Sequence, residues 1–188
     1  DQQHYSVVAE IRGGVNQKFL SKEDKKDYLF QLSFSQLRTG QIKEAQKGFE
    51  ELLKVKENKY ILPATYYSGY IAYLNGDFNK ALSFFEKNVS DDFYGPLSQL
   101  YMLESHLMLK NYDYVIQNGE TVSNVVHPDM KSKVARMVSE AYFAMDKPQQ
   151  AKEWFEQYSS SGRELSRKDN YYFGIISYSL DSYYAAID

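Results

Sequence analysis

Apolar side chains recur along the chain at three- and four-residue intervals, in stretches separated by Gly, Asn, Asp or Pro. That period predicts helices and offers no convincing strand. The predicted elements begin with a helix over about 4–19, weakened by Gly13-Gly14. Helix pairs follow at 24–39 with 41–55, 62–75 with 77–89, 96–110 with 112–124, and 129–145 with 148–159. A last helix covers about 168–180, and a stub runs from about 182 to the end. Pro63, Pro96, Pro128 and Pro148 each fall at a predicted helix start, where a missing N–H costs nothing. Ser21 and Asp24 read as a capping box for the helix that follows.

The pattern repeats. Small residues that open the second helix of each pair stand at Ala9, Ala45, Ala81, Val115, Ala151 and Ala186, with spacings of 36, 36, 34, 36 and 35. Twelve residues earlier come Ser33, Gly69, Leu103, Ser139 and Gly174; four residues later come Gly13, Phe49, Phe85, Gly119 and Phe155. Turn signals precede each small residue at Gly40, Gly76, Lys110-Asn111, Asp146 and Asp181. Antiparallel helices about 8–10 Å apart need short side chains where they cross and a ring to fill the gap beside them. Gly69 against Ala81, with Phe85 below, is the cleanest expected case. One such hairpin cannot bury its own apolar face, so stability comes from stacking on the next.

The run from Tyr67 through Gly69, Ala72, Gly76, Phe78 and Ala81 to Phe85 resembles the signature of the tetratricopeptide repeat (TPR) family. Leu32 through Ser33, Gly40 and Ala45 to Phe49 is a second match, and 128–158, with Ser139, Tyr142, Ala151 and Phe155, a third. The 95–124 unit is degenerate, carrying Leu103 and Gly119 in place of the small and the aromatic residue, and the signature's early Trp is missing throughout. The resemblance implies an all-α, right-handed superhelical solenoid of antiparallel helix hairpins. As one array over 1–188 it divides into a partial repeat at 1–23, repeats at 24–59, 60–94, 95–127 and 128–162, and a partial repeat at 163–188. Both ends read as open, since Ala9 suits a second helix without its first and Ala186 falls close to the last residue. The expectation is a piece of a longer repeat protein, or ends that pair with other chains. The start at Asp1, without an initiator Met, fits the same expectation.

Composition narrows the functions available. The chain is 43% hydrophobic and 25% charged, ordinary for a folded domain, and no run reaches the length of a bilayer crossing. Cysteine is absent, which removes disulfides, thiolate metal sites and a cysteine nucleophile. Residues 1–60 carry 11 Lys/Arg against 9 Asp/Glu, and residues 61–188 carry 11 against 16. Neither half presents the clustered positive field a nucleic acid demands. The unusual feature is 18 Tyr and 11 Phe beside one Trp. Tyr combines an apolar ring with a polar tip, suiting binding surfaces as well as cores.

Chemistry for catalysis is sparse. His106 sits where the family places an interhelix aromatic and reads as a packed core histidine; His127 precedes Pro128, and His4 lies near an end. No His spacing holds zinc. Glu50-Glu51 and Asp91-Asp92 are adjacent acids, which diverge by ~100° on a helix and read as solvated faces. Gly13-Gly14 lacks the Lys and Ser/Thr of a phosphate loop. Asn88-Val-Ser90 matches a glycosylation acceptor, a motif short enough to occur by chance. The expectation is no enzyme, no cofactor and no metal.

The resemblance further implies that the first helix of each pair lines a concave groove. Its groove columns hold Asp27, Phe30, Phe34, Leu37 and Arg38 in the first complete unit, and Pro63, Tyr66, Tyr70, Tyr73 and Leu74 in the second. The third contributes Leu97, Leu100, Glu104, Leu107 and Met108, and the fourth Lys133, Arg136, Glu140, Phe143 and Ala144. Lys168, Tyr171, Ile175, Tyr178 and Ser179 come from the last. The expected binding set is Phe34, Arg38, Tyr66, Tyr70, Tyr73, Glu104, Arg136, Glu140, Phe143, Tyr171 and Tyr178, with rings giving apolar contact and charges setting register. The family's Lys/Asn/Arg clamp for a peptide carboxylate is absent, because Phe30, Phe34, Tyr66 and Tyr70 occupy its columns.

The reading is a non-catalytic scaffold that binds a protein or peptide, with neither nucleic acid nor membrane insertion expected. Two alternatives stand beside it: a glycan or small molecule stacked on the aromatic groove, and a self-assembly or spacer module of a larger repeat protein. Its Tyr/Asn/Lys/Ser-rich, cysteine-free character resembles divergent bacterial repeats of the cell envelope facing the periplasm; the cytoplasm is the alternative.

Overall fold

The computed structural model describes Lys18, residues 20–160 and residues 165–180. The expected helix at the start and the stub at the end, with His4, Ala9, Gly13-Gly14, Asp181 and Ala186, lie outside the described residues (Lys18 excepted). Among the described residues the chain is all-α, without a strand.

Helices α1 (Lys22–Arg38), α2 (Ile42–Leu53), α3 (Ile61–Leu74) and α4 (Phe78–Phe85) come first. Then follow α5 (Gly95–Met108), α6 (Tyr112–Val125), α7 (Pro128–Ala144), α8 (Pro148–Ser159) and α9 (Arg167–Ser179). The expected ends are met closely except in one place. The helix expected over 77–89 is α-helical only to Phe85 and tightens into a 3-10 turn over Glu86–Asn88. That turn ends on Asn88, which is 1% exposed and donates from Nδ2 to the Leu62 carbonyl at 3.0 Å.

The chain divides into two compact units, Asp1–Tyr94 and Gly95–Asp188. In the first unit α1 packs on α2, α2 on α3 and α3 on α4. Its core gathers Leu37, Ala45, Phe49, Leu52, Ala64 and Ile71. In the second, each helix from α5 to α9 packs on the next, and α5 also touches α7. Leu100, Leu103, Val115, Val134, Met137 and Val138 lie in its main core, while Ala151, Phe155 and Ile176 form a smaller cluster.

Ala45, Ala81, Val115 and Ala151 are fully buried, as are Phe49 and Phe85, and Phe155 nearly so. Burying one such ring contributes roughly 1.5–3 kcal/mol. At Gly69 the close approach is to the Phe84–Phe85 pair: a Cβ there would fall 2.9 Å from the Phe85 ring and 3.0 Å from Phe84 Cβ.

Within each hairpin the turn is built the same way. Gly40, Gly76, Lys110 and Asp146 have φ of 81°, 77°, 60° and 56°. The next N–H reaches back to a carbonyl five residues earlier: Gln41 to Gln36 (2.8 Å), Asp77 to Ala72 (2.9 Å), Asn111 to His106 (2.9 Å) and Lys147 to Tyr142 (3.0 Å). This bond of the Schellman motif satisfies a carbonyl the ending helix leaves open. At helix starts, Ser21 Oγ accepts from the Asp24 N–H at 3.1 Å, one half of the expected capping box, while its hydroxyl donates to Asp24 Oδ2 at 2.6 Å. A full capping box at Ser166 and Asp169 opens α9.

Candidate functional site

In the first unit the groove columns lie on α1 and α3, and their rings sort into two kinds. Phe30 stacks on Tyr60 at 4.4 Å between centroids, and Phe34 lies 5.3 Å from Tyr67, which stacks on Phe49 at 5.3 Å. Phe30 and Phe34 are half-buried at the seam with the next hairpin. Tyr66 differs from expectation. It is 7% exposed, with its ring 5.2 Å from Tyr94 and 5.9 Å from Phe85. The cause is helical phase: Tyr66 lies one turn before Gly69, on the face that receives Phe85, so it belongs to the core. Leu37 and Leu100 are buried core residues as well. Tyr70 and Tyr73 stack on each other at 6.4 Å and 16° while remaining partly exposed, and Tyr73 meets Phe78 edge-on at 5.8 Å. Arg38, the last residue of α1, is exposed.

At the start of α1, Lys59 Nζ sits 2.9 Å from Asp27 Oδ1 and 5.1 Å over the Tyr60 ring. The Lys59 hydrogen bond holds the Asp27 carboxyl below its ordinary range, against a smaller opposing effect of burial. The same bond raises Lys59.

In the second unit the columns carry ion pairs. Lys133 on α7 binds Glu104 on α5 at 2.6 Å and lies 5.3 Å over the Tyr101 ring. Arg136 pairs with Glu140 one turn along α7. The expected register charges Glu104, Arg136 and Glu140 are therefore paired within the protein. Phe143 meets Tyr172 edge-on at 5.6 Å and packs against the Phe155 cluster, half-buried. On α9, Tyr171 and Tyr178 are 72% and 65% exposed, and Ile175 between them is exposed too. Spacings of four and three residues put the three on one stripe. The ion pairing of Glu104 with Lys133 is invisible in the sequence, since it joins residues 29 apart; the exposed stripe could have been found from helical spacing alone.

The catalytic candidates disperse. His106 stacks on Tyr114 at 3.6 Å, its Nδ1 3.2 Å from Asn111 Nδ2; it is packed and hydrogen-bonded as expected, but half-buried rather than in the core. His127 Nδ1 accepts a long bond from the Asp129 N–H at 3.4 Å, at the start of α7. Glu50 takes the Gln46 amide (2.8 Å) and Glu51 the Lys54 ammonium (2.5 Å), so these neighbours point to different partners. Among the described residues no group of three or more His, Asp or Glu gathers to hold a metal. The Asn88 amide is locked inside the fold, so the folded chain does not offer it to a glycosyltransferase.

No family profile and no curated protein matches the chain. Solved structures are similar to it. MamA (residue 41 to its end) from Desulfovibrio magneticus RS-1 superposes with a TM-score of 0.75 at 18% identity, covering 89% of this chain and 92% of that one. PilF of Pseudomonas aeruginosa gives 0.71 at 10% identity, covering 98% and 88%. The nearly identical TPR-like repeats of a Podosopora anserina protein assigned as a kinesin light chain give 0.66 at 17%, covering 85% of each. Identities this low speak to architecture alone. With paired helices, buried small and aromatic columns and left-handed turn residues recurring in phase, the chain has a tetratricopeptide-repeat type of fold.

Proposed function

We propose that the chain is a non-catalytic scaffold that binds a polypeptide partner along the groove columns of its first-in-pair helices. The observation that carries the reading is the stripe of Tyr171, Ile175 and Tyr178 on α9, where two large rings stand in solvent. Rings in such a row give a partner apolar contact and hydrogen-bonding tips with few rotors to freeze. Tyr70 and Tyr73 form a second such surface on α3, with Phe34 and Arg38 on α1. On α7, Arg136 and Glu140 select the partner by exchanging their mutual bond for bonds to its charges, and Glu104 acts with Lys133 in the same way. Phe143 supports this surface from the seam below, and Tyr66 acts only through the core.

Among the described residues no helix is long and apolar enough to cross a membrane. We place the protein in the bacterial cell envelope on its composition, which cell fractionation tests directly.

The binding test is selection of peptides from a displayed random library, followed by affinity measurements on variants. Selected peptides should lose at least tenfold in affinity for Tyr171→Ala/Tyr178→Ala, while the melting temperature stays put. A library that yields no binder, or a glycan array that yields ligands stacked on the same rings, overturns the reading.

A further inference from the structure

One edge of the first unit carries apolar and charged features that the groove does not use. Because α1 to α4 run alternately up and down, the start of α1, the end of α2, the start of α3 and the segment after α4 share that edge. Four of the unit's exposed large apolar residues lie on it: Val55, Leu62, Val89 and Phe93; Leu74 is elsewhere.

At one end of the edge is a cavity of about 350 Å³ floored by Leu29, Leu52 and Val55. Its lining carries three lysines, Lys22, Lys25 and Lys26, and one acid, Glu51. Lys26 is paired with Glu23 at 2.6 Å and Glu51 with Lys54 at 2.5 Å, whereas Lys22 and Lys25 have no ion-pair partner among the described residues.

Further along stands Phe93, 72% exposed, in the sequence Asp91-Asp92-Phe93. The ring is positioned rather than loose. Asp91 Oδ1 accepts from the N–H groups of both Phe93 (3.0 Å) and Tyr94 (2.6 Å), and Tyr94 supports the ring edge-on at 4.9 Å. Asp92 is exposed beside it.

We infer that this edge is a self-association surface on which Phe93 of one copy enters the lysine-rimmed cavity of a second copy. Size and charge both favour that occupant. An apolar cavity of about 150 Å³ already holds benzene, so this one takes a phenylalanine ring with room to spare. The acid beside Phe93 meets the two uncommitted lysines at the rim. Ring and cavity lie toward opposite ends of the same edge, so a two-fold axis lying in the plane of the contact makes it twice, the self-complementary arrangement of an isologous dimer. Val55, Leu62 and Val89 lie on the same edge and are covered in the same event.

Sedimentation velocity across a concentration series tests this on the full chain. The expected result is a monomer–dimer equilibrium weakened at least tenfold by Phe93→Ala and equally by Lys22→Glu/Lys25→Glu. Adding Asp92→Lys to the double lysine variant should restore most of the lost affinity. Circular dichroism of each variant should match the parent, since every substituted side chain is exposed. A chain that stays monomeric to millimolar concentration, or a dimer indifferent to Phe93→Ala, overturns the inference. So does deletion of residues 1–17 turning a monomer into a dimer, which makes that segment the natural cover. A native mass spectrum of one chain carrying an acidic amphiphile that Lys22→Glu/Lys25→Glu releases also overturns it.

Discussion

Gly119 and Val138 meet where α6 packs on α7, so closely that a Cβ on the glycine would lie 2.3 Å from the valine Cγ2. The third repeat thus carries Gly where the others place a ring, and the next repeat's valine closes in. Its small column is changed in the opposite sense, holding the fully buried Leu103 where Ser33, Gly69 and Ser139 stand. Restoring the repeat signature here should therefore harm the protein. Alanine in place of a helical glycine gains about 1 kcal/mol in an open setting. Overpacking against a fully buried, β-branched side chain costs about 1–3 kcal/mol, and that term wins. Gly119→Ala should lower stability in urea titration, Gly119→Phe more so, and Val138→Ala should recover part of the Gly119→Ala loss.

The hairpin turns predict the reverse sign. Lys110 and Asp146 occupy the left-handed position that Gly40 and Gly76 fill elsewhere. A side chain there costs about 1–2 kcal/mol, against about 0.5–1 kcal/mol of extra chain entropy lost when glycine folds. Lys110→Gly should stabilise by about 0.5–1 kcal/mol, while Gly40→Ala and Gly76→Ala should destabilise, all read as midpoint shifts at constant slope.

Two neighbouring tyrosines separate packing from binding. Tyr66→Ala empties a core site and should cost roughly 3–5 kcal/mol, as large aromatic truncations do. Tyr70→Ala and Tyr73→Ala should each cost less than half of that in the same unfolding assay, and together should abolish most binding of a selected peptide. If Tyr66→Ala proves nearly neutral, its place in the core is wrong.

Stability should fall toward both pH extremes through identifiable groups. Asp27, depressed chiefly by its Lys59 hydrogen bond, contributes above its unfolded value and loses that contribution as pH falls through its lower folded value. Asp27→Asn should flatten this acid limb. Tyr172 is pushed up to about 12, chiefly by burial. Between its ordinary value near 10 and that value the unfolded chain gives up a proton the folded chain keeps, so stability falls as pH rises. Tyr172→Phe should remove this part of the alkaline loss, seen in melting temperature against pH.

The helices and their phase were legible in the chain because Ala, Phe and turn residues recur where packing demands them, and Ala45, Ala81 and Ala151 with Phe49 and Phe85 are where the spacing puts them. Side-chain partners were far less legible. Tyr66 and Tyr70 are a single turn apart and chemically identical, yet the approach of Phe85 and Tyr94 buries one and leaves the other at the surface. The bond of Glu104 to Lys133 and the closure of Val138 on Gly119 depend on how successive helices meet, which no local pattern encodes.

The bond from Asn88 to the Leu62 carbonyl has a consequence for any cell that threads this chain through a glycosylating lumen. Sugar can be added at Asn88 only while the segment is still open, and an amide already bearing a glycan has no room to close against Leu62. Production in such a host becomes a race, in which unmodified molecules are those that shut the second hairpin before the transferase arrived.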